Sequence, residues 1–222
     1  MRPLIIFDFD GVIADSEVLS NTVLAETISA LGVPTSVDDC YRLYMGKRLP
    51  EITVAIAELT GRALPDNFID SLQAATMQRF RRELRAVTGA REFIDAFAAV
   101  PRCIASSSSP ARLAACLEIL GLQAHFGANV FSAEQVSWGK PHPGIFLLAA
   151  DKMNAEPAHC IVIEDSAGGV QAARAAGMTA IGLTAASHIR RGQAERLRQA
   201  GAHHVAATFD EALNIICRLL TA

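Results

Sequence analysis

Two pairs of acidic residues follow apolar runs of strand length in this chain. Asp8 and Asp10 come directly after the first such run, and Glu164 and Asp165 come directly after a later one. Because the carboxyl ends of parallel strands meet at one edge of an open sheet, we expect these carboxylates to lie close together. Clustered carboxylates repel one another, and a cation among them offsets this repulsion. An all-oxygen donor set without His or Cys predicts a hard, octahedral ion such as Mg²⁺.

Hydroxyl and ammonium groups follow two further apolar runs. Ser106 begins a run of four serines, and Lys140 lies within the tripeptide Gly139-Lys140-Pro141. A serine hydroxyl, a lysine ammonium and backbone N–H groups at a strand-to-helix turn can bind the non-bridging oxygens of a phosphate. One carboxylate can be a nucleophile that forms an acyl phosphate, and another can donate and accept a proton. The sequence therefore predicts phosphoryl transfer at this edge of the sheet.

The elements that must position these groups are short strands that alternate with helices. Strands are predicted at 4–7, 103–105, 129–131, 160–163 and 180–183. Each run is apolar on both faces, which is typical of a strand covered by helices on both sides. Helical patterns lie at 112–120, 143–150, 168–176 and 209–220. This alternation predicts an α/β fold with a doubly wound, mostly parallel sheet.

One long stretch after the first strand interrupts the alternation. It contains no convincing strand but three amphipathic helical patterns, at 18–31, 49–59 and 68–84. We therefore predict a helical domain, residues 16–87, inserted into an α/β domain of residues 1–15 and 88–222. Asp15, at the first boundary, is interpreted as a structural residue that holds the loop or starts the first inserted helix.

Four segments together resemble the motifs of the haloacid dehalogenase-like superfamily. Residues 8–17 match its first motif, DxDGxxxDSE, Ser106 matches the second, Lys140 the third and residues 164–166 the fourth. The resemblance covers nearly the whole chain, and the helical insertion looks like the cap of the subgroup that contains sugar-phosphate phosphatases and β-phosphoglucomutase. It implies a Rossmann-like core with an inserted cap domain. It also implies that the protein is an enzyme, a hydrolase of phosphoric monoesters.

The resemblance implies a role for each matching residue. Asp8 would attack the phosphorus atom, and Asp10 would be the general acid and base. Ser106, Ser107 and Lys140 would bind the transferring phosphoryl group. We choose Ser106 as the principal hydroxyl because it directly follows the predicted strand.

The implied cofactor is Mg²⁺. Asp8 and Asp165 would ligate it through their carboxylates, and Asp10 would ligate it through its backbone carbonyl. Glu164 would either ligate the ion or bind one of its water molecules.

The implied substrate is a small phosphorylated metabolite, because a helical cap leaves a closed pocket that a phosphoprotein could not enter. Caps of this kind carry a substrate-reading loop with a central glycine, which corresponds to Gly46, with Lys47 and Arg48 beside it. Two adjacent cations favour a sugar phosphate with a further anionic or hydroxyl-rich end. The nearest resemblance is to bacterial sugar-phosphate phosphatases, including those that act on 6-phosphogluconate.

Other activities of the superfamily remain as alternatives. Sugar-phosphate mutases of this subgroup carry a cap histidine, and this chain has no histidine between Asp15 and Phe97. Haloacid dehalogenases lack the second aspartate of the first motif and need no metal, so Asp10 argues against that activity. A phosphonatase would need a lysine for a Schiff base, and Lys47 is the only lysine between Asp15 and Phe97. A binding module that has lost its chemistry is disfavoured by the complete set of motifs.

The composition excludes several classes of protein. The chain has 20 Lys and Arg and 23 Asp and Glu, a net charge of −3, without the basic runs of a nucleic-acid binder. The absence of any apolar run of about 18 residues predicts no membrane span. Five cysteines without a CxxC pair indicate reduced thiols. We therefore expect a cytoplasmic protein, a monomer or a weak dimer, that binds neither nucleic acid nor membrane.

Several histidines show no ligand spacing and are interpreted as ordinary surface or core residues: His142, His188, His203 and His204.

Overall fold

The computed structural model describes residues 3–44 and 49–221. The chain divides into a sheet unit, which comprises the residues up to Asp15 and those from Arg85 onward, and a helical unit, Ser16–Leu84. Within the sheet unit, Ala14 and Ala86 form an antiparallel bridge, and the Asp15 N–H donates to the Arg85 carbonyl at 3.0 Å. Because of this pairing, residues 85–87 group with the sheet, although we predicted them in the helical insertion.

The described residues of the helical unit form helices and no strand. The helices are α1 (Glu17–Ala30), α2 (Val37–Tyr44), α3 (Leu49–Thr60) and α4 (Phe68–Glu83). The sequence prediction missed α2, which is only eight residues long. Its start is fixed by a capping box, in which Ser36 N–H donates to Asp39 Oδ2 at 3.0 Å and Asp39 N–H donates to Ser36 Oγ at 3.1 Å.

The sheet unit is built on six parallel strands. They are β1 (Leu4–Phe7), β2 (Arg102–Ser106), β3 (Val130–Ser132), β4 (Cys160–Glu164), β5 (Thr179–Leu183) and β6 (His204–Ala206). Their order across the sheet is β3-β2-β1-β4-β5-β6, so the chain winds outward from β1 in both directions. The predicted α/β class and parallel sheet are therefore confirmed. The prediction missed β6, a three-residue edge strand with an exposed first residue.

The remaining helices cover both faces of this sheet. They are α5 (Ala90–Ala96), α6 (Pro110–Leu120), α7 (Gln123–Phe126), α8 (Gly144–Lys152), α9 (Ala167–Ala175), α10 (Gln193–Gln199) and α11 (Phe209–Thr221). Two short 3₁₀ helices, Ala133–Gln135 and Pro157–His159, precede α8 and β4. The start of α6 shows why the chain turns helical there: Ser109 Oγ accepts the Arg112 N–H at 3.3 Å, and Pro110 occupies the first turn.

The strands are buried on both faces because helices pack against each. All four residues of β1 are at most 1% exposed. On one face, Ile6 and Val162 pack with the apolar stripes of α8 and α9. On the other, the Phe7 ring makes edge-to-face contacts with Phe93 and Phe126, each at 5.8 Å between ring centroids. The two covered faces leave the carboxyl edge of the sheet as the place where polar side chains can gather.

All five cysteines lie in the described part of the chain, and none forms a disulfide. Four are buried and Cys217 is exposed. Burial raises the pKa of Cys160 to about 11 and that of Cys116 to about 12, so these thiols stay protonated. Among the described residues, no helix has the length and apolar character needed to cross a membrane.

Candidate active site

The first acidic segment continues directly from β1. The Asp8 N–H donates to the Ile163 carbonyl at 3.0 Å, which extends the pairing of β1 with β4 and places the Asp8 side chain at the carboxyl edge. Asp8 is 7% exposed. Gly11 follows with a φ of +79°, and a Cβ built there would lie 2.1 Å from Asp165 Oδ2. Both the backbone conformation and the close approach therefore require glycine at this position.

Lys140 joins the two acidic segments. Its Nζ lies 2.5 Å from Asp8 Oδ1 and 2.6 Å from Glu164 Oε1, and its side chain is only 8% exposed. Burial alone would lower the pKa of Lys140, but the carboxylates of Asp8 and Glu164 outweigh burial and raise that pKa above its usual value. The ammonium therefore stays charged between its two partners.

Glu164 is held in one orientation by donors on both of its oxygens. Oε1 accepts from Lys140, and Oε2 accepts from the Ser166 N–H at 2.8 Å and from the Ser166 hydroxyl at 2.9 Å. The carboxylate packs directly on α9, where a Cβ added to Gly169 would lie 1.7 Å from Oε1. The glycine in the first turn of α9 therefore makes room for the buried carboxylate.

Asp165 is fixed by the chain that follows β5. Its Oδ2 lies 3.1 Å from His188 Nε2, and both side chains are at least nine-tenths buried. Its backbone carbonyl accepts a hydrogen bond from the side chain of Gln193 at 2.6 Å. We interpreted His188 as an ordinary histidine, whereas the structure places it against a carboxylate of the predicted site.

The carboxylates of Asp8, Glu164 and Asp165 can together hold a metal ion. Each offers one oxygen, and the three oxygens lie within 4.8 Å of one another. Burial raises the pKa of Asp8, and the charges of Glu164 and Asp165 raise it further, while Lys140 acts in the opposite direction. One ammonium among three carboxylates leaves two negative charges unbalanced. A hard divalent cation would balance them and fits this all-oxygen donor set.

The serine-rich turn after β2 lies at the same edge. Ser106, 1% exposed, ends β2, and its Oγ accepts the Ser108 N–H at 3.1 Å. The Asp10 carboxylate is held from this side, because Ser108 Oγ donates to Asp10 Oδ2 at 2.6 Å and Arg112 Nη2 donates to Asp10 Oδ1 at 2.7 Å. Ser107 is exposed.

The structure thus gathers most of the predicted site residues in the sheet unit. Sequence reasoning missed three side chains that contact the carboxylates of Asp10 and Asp165: Ser108, Arg112 and His188. His188 follows β5, so the rule that polar residues after parallel strands meet at one edge could have found it. Nothing in the sequence pairs Arg112 with Asp10. The predicted substrate-reading residues, Gly46, Lys47 and Arg48, lie outside the described residues.

Comparison with known proteins identifies a family and several relatives of this chain. The haloacid dehalogenase-like hydrolase family matches residues 3–177. Fructose-1-phosphate phosphatase of Escherichia coli K12 is 32% identical over 181 residues, 80% of this chain and 94% of that protein. 6-Phosphogluconate phosphatase of the same strain is 27% identical over 185 residues, 83% of each chain.

A solved structure extends the likeness to the whole chain. A haloacid dehalogenase-like protein of unknown function from Agrobacterium tumefaciens superposes with a TM-score of 0.86 and is 32% identical, over 99% of this chain and all of that one. The present chain therefore belongs to the haloacid dehalogenase-like hydrolases, and its relatives place it among the phosphatases of that family.

Proposed function

We propose that this protein is a Mg²⁺-dependent phosphatase that hydrolyses a small sugar phosphate through an aspartyl phosphate on Asp8. The observation that carries the proposal is the position of Lys140, whose ammonium contacts both Asp8 and Glu164 in a buried acidic cluster. A nucleophile, a cation for the phosphoryl oxygens and a set of metal ligands then meet at the carboxyl edge of one sheet, where open α/β folds bind ligands.

In this proposal, Asp8 attacks the phosphorus atom. Lys140 holds Asp8 Oδ1 at 2.5 Å and so fixes the rotation of the carboxylate. The same ammonium would offset the charge of the incoming phosphoryl group, which would otherwise repel the nucleophile. The buried Ser106 hydroxyl and the backbone N–H groups of the serine-rich turn would bind the remaining phosphoryl oxygens.

Asp10 would protonate the leaving oxygen and then take a proton from the water that hydrolyses the aspartyl phosphate. Its carboxylate is held by Ser108 and Arg112, and it is not one of the three clustered carboxylates. This arrangement is consistent with a ligand role for the Asp10 backbone carbonyl, which leaves the side chain for proton transfer.

Asp8, Glu164 and Asp165 are the side chains that would hold the metal. When bound, Mg²⁺ supplies positive charge at the phosphoryl oxygens and offsets the repulsion among the carboxylates. Because Lys140 and Ser166 already satisfy both oxygens of Glu164, we assign Glu164 the indirect role, through a metal-bound water, and Asp165 the direct one.

The relatives support a substrate of the sugar-phosphate class. Their names specify fructose 1-phosphate and 6-phosphogluconate, which differ in the sugar but share a phosphate ester on a hydroxyl-rich chain. We propose that Gly46, Lys47 and Arg48 choose among such compounds, as the resemblance implies. Two cations there would favour substrates with a second anionic or hydroxyl-rich end.

A sugar-phosphate mutase is the main alternative, because it would use the same covalent step. The lack of any histidine between Asp15 and Phe97 favours the phosphatase. Product analysis separates the two: a phosphatase releases inorganic phosphate in proportion to substrate consumed, and a mutase returns an isomeric sugar phosphate.

The proposal is tested by incubating the purified protein with Mg²⁺ and a panel of phosphate esters and measuring released phosphate. We expect turnover of sugar phosphates, loss of nearly all turnover in Asp8→Asn and loss in EDTA that Mg²⁺ reverses. Asp70→Asn, an exposed residue of α4, is the matched control and should keep wild-type activity. Wild-type turnover by Asp8→Asn would reject the assigned nucleophile.

The proposed substrate-reading role of residues 46–48 is tested by the ratio of kcat/KM for sugar phosphates to kcat/KM for an aryl phosphate. Lys47→Ala and Arg48→Ala should lower kcat/KM for sugar phosphates more than for a plain aryl phosphate. Arg81→Ala and Lys152→Ala, which remove exposed cations elsewhere, should leave that ratio unchanged. An unchanged ratio in the first pair would mean that this loop does not read the substrate.

A further inference from the structure

The loop between β5 and α10 approaches the metal-binding carboxylates without supplying one. It carries His188, which is 7% exposed although it lies in a connection between two elements. The His188 Nε2 lies 3.1 Å from Asp165 Oδ2. Because a carboxylate only accepts hydrogen bonds, the ring N–H must be the donor in this contact.

The two oxygens of Asp165 are therefore in different surroundings. Oδ2 is close to the backbone of Gly11 as well as to the His188 ring: a Cβ on Gly11 would be 2.1 Å from Oδ2 and 2.9 Å from His188 Cε1. No side chain larger than glycine fits there. A carboxylate that has two close neighbours at one oxygen cannot rotate freely about χ2, so the orientation of the whole group is restricted.

The loop that carries His188 is itself anchored at both ends. Asp15 Oδ1 accepts hydrogen bonds from the N–H of Ser187 at 3.1 Å and from its hydroxyl at 2.8 Å. On the other side, Gln193 donates to the Asp165 carbonyl at 2.6 Å. His188 is thus held next to Asp165 by contacts on each side of it in the chain.

We propose that His188 is a positioning residue for the metal site, which fixes the orientation of the Asp165 carboxylate before an ion binds. This inference rests on the proposed function, because it takes Asp165 to be the direct ligand. Neither the motifs nor the resemblance assigned His188 a role. A hydrogen bond from a neighbouring side chain fixes the orientation of a ligand before the ion arrives, and removal of such a partner typically weakens metal binding about 10- to 100-fold.

The decisive measurement is Mg²⁺ binding to the metal-stripped, full-length protein by isothermal titration calorimetry, without substrate. His188→Ala should raise the Kd for Mg²⁺ by about 10- to 100-fold. His159→Ala, an exposed histidine before β4, is the matched control and should leave the Kd unchanged. Equal affinities of the wild type and His188→Ala would overturn the inference and leave the proposed function intact.

A second pair of variants covers the case in which His188→Ala does not fold. The side-chain nitrogen of Gln can reach the place of His Nε2, whereas the shorter Asn reaches only the place of Nδ1. His188→Gln should therefore bind Mg²⁺ almost as tightly as the wild type, and His188→Asn should bind it as weakly as the alanine variant. If His188→Gln and His188→Asn weakened Mg²⁺ binding equally, the hydrogen bond to Asp165 Oδ2 would not determine the affinity, and the inference would be overturned.

Turnover at varied Mg²⁺ separates positioning from a general loss of structure. In His188→Ala, kcat should return close to the wild-type value once Mg²⁺ is saturating, because Asp8 and Lys140 are untouched. A kcat that stays low at any Mg²⁺ concentration would contradict a positioning role. A wild-type protein that binds no Mg²⁺ would overturn both this inference and the metal in the proposed function.

Discussion

Gly169→Ala should damage the site by steric contact alone. A Cβ at position 169 would lie 1.7 Å from Glu164 Oε1 and 1.9 Å from its carboxyl carbon. Restoring ordinary contact requires a movement of about 1.5 Å or more, since nonbonded carbon and oxygen atoms rarely approach within about 3.2 Å. The contact of Oε1 with Lys140 is only 2.6 Å long, so the carboxylate cannot move this far and keep it.

The energetic cost of Gly169→Ala follows from the loss of the ion pair between Lys140 and Glu164. Breaking one buried ion pair destabilises a protein by about 3–5 kcal/mol. Alanine is the better helix former, which offsets about 1 kcal/mol of that loss. We therefore expect Gly169→Ala to lower the free energy of unfolding by about 2–4 kcal/mol and to reduce turnover at the same time.

The neighbouring glycine provides the control. Nothing lies within 4 Å of a Cβ built on Gly168, which is also in the first turn of α9. Gly168→Ala should therefore be as stable as the wild type or slightly more stable, with full activity. Urea unfolding and phosphate release measured on both variants make the comparison. Equal stability and activity of the two variants would refute the assignment of the Glu164 contacts.

Three further outcomes follow from the site and the helical unit. Lys140→Ala should reduce turnover by about 10²- to 10³-fold, by analogy with the loss of a charge-stabilising donor, and an effect below about threefold would place the lysine outside the site. Asp10→Asn should slow sugar phosphates far more than aryl phosphates with good leaving groups, because only a poor leaving group needs a proton; equal slowing would argue against the acid role. The pKa of Asp39 is lowered to about 2 by hydrogen bonds from the Ser36 hydroxyl and N–H and from the Arg42 guanidinium. This pKa lies below that of Asp39 in the unfolded chain, so ionised Asp39 stabilises the fold above about pH 4. The stabilisation is lost as the pH falls towards 2. The difference in urea midpoint between wild type and Asp39→Asn should shrink over that range, and a difference independent of pH would contradict it.

Five of the six strands, β1 to β5, could be predicted because each carries its own signal, whereas the short edge strand β6 does not. Runs that are apolar on both faces are short, continuous and bounded by polar residues, and the predicted ends differ from the observed ends by one residue at most. The grouping of Asp8, Lys140 and Glu164 was also predictable, since parallel topology brings the ends of strands to one edge whatever the intervening loops do. Local patterns and one topological rule were enough for these features.

Other features depend on which side chains meet across the fold, and no local pattern records that. Arg112 lies in the first turn of α6, where sequence alone suggests only a solvated cation, and its ion pair with Asp10 depends on the packing of that helix. Helix α2 was missed for a different reason. Its eight residues are too few for a clear periodicity, and only the Ser36–Asp39 capping box marks its start.

The bridge between Ala14 and Ala86 has a consequence for how this architecture can vary. The chain leaves the sheet unit and re-enters it at two points joined by backbone hydrogen bonds, including Asp15 N–H to Arg85 carbonyl at 3.0 Å. The entropic cost of closing a loop between two such points grows only with the logarithm of the loop length, by about 0.6 kcal/mol for each doubling of that length. An insertion of almost any size can therefore be exchanged at this point with little effect on the stability of the sheet. The residues at the carboxyl edge of the sheet would keep their positions through such an exchange.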